Sequence, residues 1–277
     1  MNADDLPSLR EALEAHDLWA NKGLGQHFLL DMNITRRIAR AAGDIAGKPV
    51  IEVGPGPGGL TRALIEARAD PLIAIEKDER FMPILERLVD WSAGRLRIVH
   101  ADALEANERA LAGSHDVAIV SNLPYNVGTP LLVKWLKAGY RDMTLMFQKE
   151  VAQRIVAMPG SDAYGRLAVL AQACCQARLE FTVPARAFTP PPKIDSAIVR
   201  LTPALDQYPD LDAMERVSAA AFGQRRKMLR SALRALTPRS EELLNMAAIE
   251  PTARAEEIDQ AGFRRLANAW RTINCAA

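Results

Sequence analysis

The chain has 277 residues, 49% of them hydrophobic, enough to fill one large core and a smaller satellite domain. Its 35 basic residues against 34 acidic ones leave a net charge of +1, which excludes a global field for nucleic acid and makes any such case a local one. Three cysteines without Cys-x-x-Cys spacing (Cys174, Cys175, Cys275) read as reduced thiols and not as a metal site, and no apolar run could span a bilayer.

Asp4, Asp5 and Glu11 interrupt any signal peptide at the start, so a soluble cytoplasmic protein is expected. Residues 1–21 form an N-terminal extension, in which Arg10 to Leu18 reads either as a short amphipathic helix packed on the domain or as an RNA-contacting arm. From Pro49 to about Phe147, short β-branched runs alternate with amphipathic stretches, the pattern of a parallel sheet flanked by helices. The predicted strands are Val50 to Val53, Leu72 to Glu76, Leu96 to His100, Val117 to Val120 and Met143 to Phe147. The predicted helices are Leu60 to Ala67, Phe81 to Asp90, Pro130 to Lys137, Lys149 to Ala157 and Tyr164 to Gln176. Two further strand-like runs, Arg178 to Val183 and Ser196 to Thr202, complete an antiparallel hairpin. Five parallel strands ending in such a hairpin are the methyltransferase variant of the doubly wound sheet.

Thr202 to Asp212, with Pro203 and Pro209, reads as a linker. Beyond it, helical patterns at Leu211 to Ala221, Arg225 to Leu236, Ser240 to Ala248 and Arg254 to Trp270 follow with no strand between them. The expected organisation is therefore an α/β, class I (Rossmann-like) methyltransferase domain over residues 1–205 and a small all-helical domain over 206–277.

Ile51-Glu52-Val53-Gly54-Pro55-Gly56-Pro57-Gly58-Gly59 ends a strand and opens a helix at a glycine-rich turn, where backbone can approach a ligand closely. Gly54, Gly56 and Gly59 also satisfy the dinucleotide spacing, and Glu76 lies where a ribose-binding acid of a NAD site would stand. Two acids suit another cofactor better. Glu76 ends the second strand, where a carboxylate can accept both ribose hydroxyls, and Asp102 follows the third, where it can accept an adenine amino group. With Asn122 after the fourth strand they line the carboxyl edge of the sheet, a layout that suits S-adenosylmethionine. Taken singly, each also fits a plain turn or a capping acid.

Ser121-Asn122-Leu123-Pro124-Tyr125 places an amide, a stiff backbone and an aromatic ring at a strand end. An amino group conjugated to a purine attacks poorly until its hydrogens are accepted and the nitrogen can pyramidalise; the Asn122 side-chain oxygen and the Leu123 carbonyl are two such acceptors. Pro124 biases Leu123 toward an extended conformation, and Tyr125 offers a face for stacking a base. The same tetrapeptide would also serve as an ordinary strand-to-turn junction.

The chain closely resembles the ribosomal RNA adenine dimethylases of the small-subunit methyltransferase A type. The matching segments are Gly25-Gln26-His27-Phe28-Leu29, Glu52 to Gly56, Asn122 to Asn126, Gln148 to Val151, Tyr164 to Leu167, Phe188 with Pro192 to Ala197, and Phe222 to Lys227. The resemblance implies S-adenosylmethionine contacts at His27, Leu29, Gly54, Glu76, Asp102 and Asn122, with Gly56 in the same loop. Many members carry Asn where this chain has His27, which leaves open whether that residue contacts the cofactor through its side chain or its backbone. The implied reaction is methyl transfer to N6 of two adjacent adenosines in a hairpin near the 3′ end of 16S rRNA, two methyls on each, leaving S-adenosylhomocysteine. The donor carries its own positive charge, so neither metal nor strong base is called for. Phe188, ahead of a stiff Thr189-Pro190-Pro191-Pro192 segment, is implied to stack on the flipped adenine opposite Tyr125.

Arg225, Arg226, Lys227, Arg230 and Arg234 crowd one predicted helix of an otherwise near-neutral protein. Such a run is a solvated helix face or, beside an adenine-modifying site, a set of phosphate contacts to the RNA of the small ribosomal subunit. A monomer with a part in subunit biogenesis is expected. Competing readings are a DNA N6-adenine methyltransferase, a 23S rRNA adenine methylase of the resistance type, and a ribosome-assembly factor or transcription cofactor on a retired methyltransferase fold.

Overall fold

The computed structural model describes residues 6–20 and 26–275. Gly25, Asp4 and Asp5 lie outside the described residues, as does the side chain of Cys275. Two compact units divide the chain: Met1–Lys134, Asp142–Ala152 and Leu179–Leu201 form the first, and Trp135–Arg141, Gln153–Arg178 and Thr202–Ala277 the second.

The first unit opens with α1 (Leu9–Ala15), started by a reciprocal cap between Ser8 and Glu11. Leu9, Ala12, Leu13 and Leu18 are buried, which makes this segment part of the core and not an arm. Next come β1 (Phe28–Leu29) and α2 (Met32–Ala41), the latter capped by Asp31. β2 (Val50–Val53), α3 (Gly59–Glu66), β3 (Leu72–Glu76), α4 (Met82–Trp91) and β4 (Leu96–His100) then alternate. β2 and β3 are buried at every position, as continuous apolar runs must be when helices cover both faces of a parallel sheet. Leu64 of α3 and Leu85 of α4 are fully buried, each stabilising the packing by roughly 1.5–3 kcal/mol relative to exposure.

The chain continues through α5 (Glu108–Ala112), β5 (Ala118–Asn122), α6 (Gly128–Lys137), β6 (Met143–Gln148) and α7 (Lys149–Val156). α8 (Arg166–Gln172) leads into β7 (Cys175–Val183), then β8 (Phe188–Thr189) and β9 (Ser196–Pro203). The main sheet runs β4-β3-β2-β5-β6-β9-β7, parallel from β4 to β6 and antiparallel between β6 and β9. Strand order reverses between β2 and β5, which opens a crevice at their carboxyl ends. β1 and β8 form a separate two-stranded ribbon, Phe28 opposite Thr189 and Leu29 opposite Phe188.

The strands at Val50, Leu72 and Leu96 occupy the predicted residues. The helix expected over Tyr164 to Gln176 is shorter, because Cys175 and Gln176 already belong to β7. Ala173, Cys174 and Cys175 are all buried at that junction, and a short apolar run of this kind does not separate helix from strand by periodicity.

In the second unit, α9 (Leu211–Gly223), α10 (Leu229–Ala232), α11 (Ser240–Met246) and α12 (Gln260–Cys275) follow one another with short 3-10 turns between them. Trp135, Tyr164 and Phe263 are fully buried in it. The single helix expected over Arg225 to Leu236 is not formed. Met228 pairs as an isolated bridge with Arg254 and takes an extended backbone, and the Leu229 N–H donates to the Ala253 carbonyl, so the helix restarts only at Leu229. No helix among the described residues is long and apolar enough to cross a membrane.

Candidate active site

A cavity of about 540 Å³ opens at the carboxyl ends of β2, β3, β4 and β5, in the size range of small-molecule sites. His27, Leu29, Gly54, Gly56, Glu76, Asp102, Asn122, Leu123, Pro124, Tyr125 and Phe188, eleven residues singled out in the sequence, all line it.

Its floor is the glycine loop. Gly54 has φ +67°, a conformation that side-chain-bearing residues rarely adopt, and its N–H donates to the Ile75 carbonyl at 2.9 Å. At Gly59 a Cβ would stand 2.8 Å from the Leu29 carbonyl oxygen, so only glycine lets α3 start this close to β1.

Glu76 is held by this loop. One carboxylate oxygen accepts the Gly56 N–H at 3.0 Å and the other the Asp78 N–H at 2.8 Å. A carboxylate has about four acceptor sites, so Glu76 keeps room for a further donor beside its backbone N–H partners. Burial raises the Glu76 pKa, and the backbone N–H donors of Asp78, Gly56 and Lys77 oppose the rise. Glu52, fully buried on β2, is pushed further, up to about 8: burial dominates, Thr61 opposes it and the Glu76 charge adds to it. Its Oε2 has no hydrogen-bond partner among the described residues, although Glu52 lines the cavity.

Asp102 is less bare than its position after β4 suggests. Lys77 Nζ approaches Oδ2 at 2.8 Å and the Leu104 N–H donates to Oδ1 at 2.9 Å, and the two together hold its pKa below the usual carboxylate range. The segment that follows is fixed from α6, where Lys134 Nζ donates to the carbonyls of Ala103 and Ala106 at 2.6 Å each and to Glu108 Oε1 at 2.8 Å. Lys77 and Lys134 were not legible as site residues, since a lysine 25 or more positions from its partner leaves no local pattern.

Asn122 is the last residue of β5, and the Pro124 carbonyl closes the turn beyond it by accepting from Val127 and Gly128. The Tyr125 hydroxyl lies 2.6 Å from Ser196 Oγ, and burial raises its pKa so that the phenol stays neutral. Phe188 is 3% exposed, packed in the same apolar cluster as Phe28 and Leu29, and forms a fixed wall of the cavity. His27 Nδ1 lies 2.8 Å from the Pro190 carbonyl oxygen, and its ring centroid is 5.6 Å from that of Tyr125.

The five basic residues belong to the second unit. Arg225, Arg226 and Lys227 lie in the turn after α9, Arg230 on α10 and Arg234 in the 3-10 turn beyond it, all exposed. Arg225 is paired with Glu256 at 2.9 Å. They are therefore not one stripe on one helix.

Fold and cavity together define a Rossmann-like methyltransferase. Residues 18–271 match the family model described as ribosomal RNA adenine dimethylase, and the chain belongs to that family. It is 61% identical over 274 residues to the ribosomal RNA small subunit methyltransferase A of Phenylobacterium zucineum (strain HLK1), covering 98% of this chain and 95% of that protein. Among solved structures, a dimethyladenosine transferase from Plasmodium falciparum superposes with a TM-score of 0.74 at 23% identity, over 90% of this chain and 98% of that one, a likeness of fold. The 23S rRNA methyltransferase ErmE gives 0.65 at 26% identity, over 88% and 99% of the two chains.

Proposed function

We propose that this chain is an S-adenosylmethionine-dependent dimethyltransferase that modifies N6 of two adjacent adenosines near the 3′ end of small-subunit rRNA. The observation that carries this reading is one cavity that joins the Asn122-Leu123-Pro124-Tyr125 turn and Phe188 to the Glu76 and Asp102 carboxylates. The near full-length identity to a small subunit methyltransferase A favours 16S rRNA over the resistance-type 23S substrate.

The residues fit the cofactor. The Glu76 carboxylate, lining the cavity at the end of β3, can accept from a ribose diol, and Asp102, which follows β4, can accept an adenine amino group. When bound, S-adenosylmethionine supplies an electrophilic methyl group on a positively charged sulfur. Asn122 accepts an N6 hydrogen through its side-chain oxygen and the Leu123 carbonyl takes the other, which favours a tetrahedral nitrogen with its lone pair aimed into the cavity. Tyr125 and Phe188 hold the extruded base between two rings, returning roughly the few kcal/mol that unstacking costs.

The test is label transfer from radioactive cofactor to undermethylated small subunits, naked rRNA and duplex DNA, with the modified bases mapped. Label on two adjacent small-subunit adenosines is expected, and label only on 23S rRNA or DNA would overturn the reading. Asn122→Ala should fold and bind S-adenosylhomocysteine yet lose at least about a hundredfold in kcat, the scale of a transition-state hydrogen-bond partner.

A further inference from the structure

The two aromatic walls of the cavity hang from different parts of the fold. Tyr125 follows β5 of the main sheet, whereas Phe188 sits on β8, which pairs only with β1 in a ribbon of its own. Among the described residues no strand pairing joins β8 to β5. His27 spans that gap. A carbonyl oxygen can only accept, so the 2.8 Å contact with Pro190 requires the hydrogen on Nδ1 and fixes both tautomer and ring plane. The ring so fixed lies against Tyr125, centroids 5.6 Å apart and planes tilted by 32°.

Both ends of this brace are themselves anchored. Tyr125 is held at its far end by Ser196 at 2.6 Å. The segment that carries Phe188 and Pro190 is closed at its base, where the Ala185 N–H donates to Asp195 Oδ1 at 2.9 Å. His27 is thus the one side chain that contacts the Tyr125 ring and the Phe188-Pro190 segment together among the contacts described. Its imidazole is committed to them through Nδ1 and through its face.

We propose that the His27 side chain is a positioning residue that sets the spacing of the Tyr125 and Phe188 walls, and so decides whether an N6-methylated adenine is retained for its second methyl group. This rests on the proposed adenine dimethylation. A base that already carries one methyl must be held in the same plane with its nitrogen at a new rotamer, and a wall free to drift would release it after one transfer.

The test compares His27→Leu, which keeps bulk without a donor, with His27→Asn, which keeps a donor able to reach the Pro190 carbonyl. Affinity for S-adenosylhomocysteine is read by calorimetry, and the ratio of monomethyl to dimethyl adenosine on undermethylated small subunits by mass spectrometry. His27→Leu should bind S-adenosylhomocysteine within about twofold of the parent, lose about tenfold or more in kcat and accumulate monomethyladenosine, and His27→Asn should restore most of the dimethyl product. A tenfold or greater loss of S-adenosylhomocysteine affinity with an unchanged product ratio would make His27 a cofactor ligand instead. An unchanged ratio in both variants would also overturn the proposal. If the parent protein transfers no methyl to small subunits, the functional reading falls, and the calorimetric comparison still decides whether the imidazole holds cofactor.

Discussion

Ser121 donates from Oγ to the Val53 carbonyl at 2.6 Å, between two residues that are both buried. The ladder between β2 and β5 pairs Val50 with Ala118 and Ile51 with Ile119, and the two strands reach the cavity beyond those pairs. The hydroxyl therefore ties the strand that ends in Asn122 to the strand that feeds the glycine loop at the point where the ladder no longer does.

Ser121→Ala leaves that buried carbonyl without its donor, which costs about 1–3 kcal/mol. Urea unfolding should show a loss of that size with an unchanged m-value. Methyl transfer should slow more than S-adenosylhomocysteine binding weakens, because the acceptor motif moves relative to the cofactor loop. Equal stability of the variant would show that water replaces the hydroxyl.

Lys134 spends its ammonium on two carbonyls and on Glu108, itself 2% exposed on its side chain. Lys134→Met removes the pin from the segment after Asp102 and takes one partner from the buried Glu108, which should lower the midpoint of urea unfolding. If the pin also aims Asp102 at an amino group, the variant should lose preference for S-adenosylhomocysteine over S-inosylhomocysteine, whose base carries a carbonyl there. Competition calorimetry reads that ratio, and an unchanged preference would limit Lys134 to stability.

Glu52 contributes one part of the pH response of the first unit. Its pKa rises from 4.5 to about 8 on folding, so the folded state binds the extra proton between those values. Stability from this group is then full below about pH 4.5, falls as pH rises toward 8, and levels off above it, by a few kcal/mol in all. Glu52→Gln, which cannot ionise, should match the parent near pH 4.5 and gain in Tm progressively up to about pH 8. A constant difference across that range would mean that Glu52 is ionised in the folded protein.

Because Arg225 is already engaged by Glu256 whereas Arg226 and Lys227 have open surroundings in the same turn, their shares in RNA affinity should differ. Neutralising Arg226 or Lys227 should flatten the slope of log K against log salt by about 1 each, with cofactor affinity unchanged. Arg225→Ala should flatten it less. Slopes unchanged from the parent's in all three variants would assign the turn to solvent.

What the sequence made legible follows from the range of the interactions involved. Val50 to Val53 and Leu72 to Glu76 are readable because buried parallel strands must be apolar at every position, and Glu76 stands out as the charge that ends such a run. In the N-terminal helix seven residues carry too few turns for periodicity to choose between a packed helix and an arm, and the burial of Leu9 and Leu13 decides for the packed helix. The β1 and β8 ribbon has two residues a side, too short for alternation to show. The basic run between Arg225 and Arg234 looks helical locally, and only the pairing of Met228 with Arg254 breaks it. For His27 the sequence shows no partner within the protein for the imidazole, because the carbonyl it meets lies 163 residues away.

That separation also fixes when the site can come into being. A chain emerging from the ribosome could form β2, β3 and the glycine loop early, yet the upper rim of the cavity needs Phe188 to Pro190 to fold back onto residues made among the first thirty. Such distant closure is slow, and domains assemble as their last strands arrive. The protein should therefore be without a finished methyl-transfer pocket until about two-thirds of it has been synthesised.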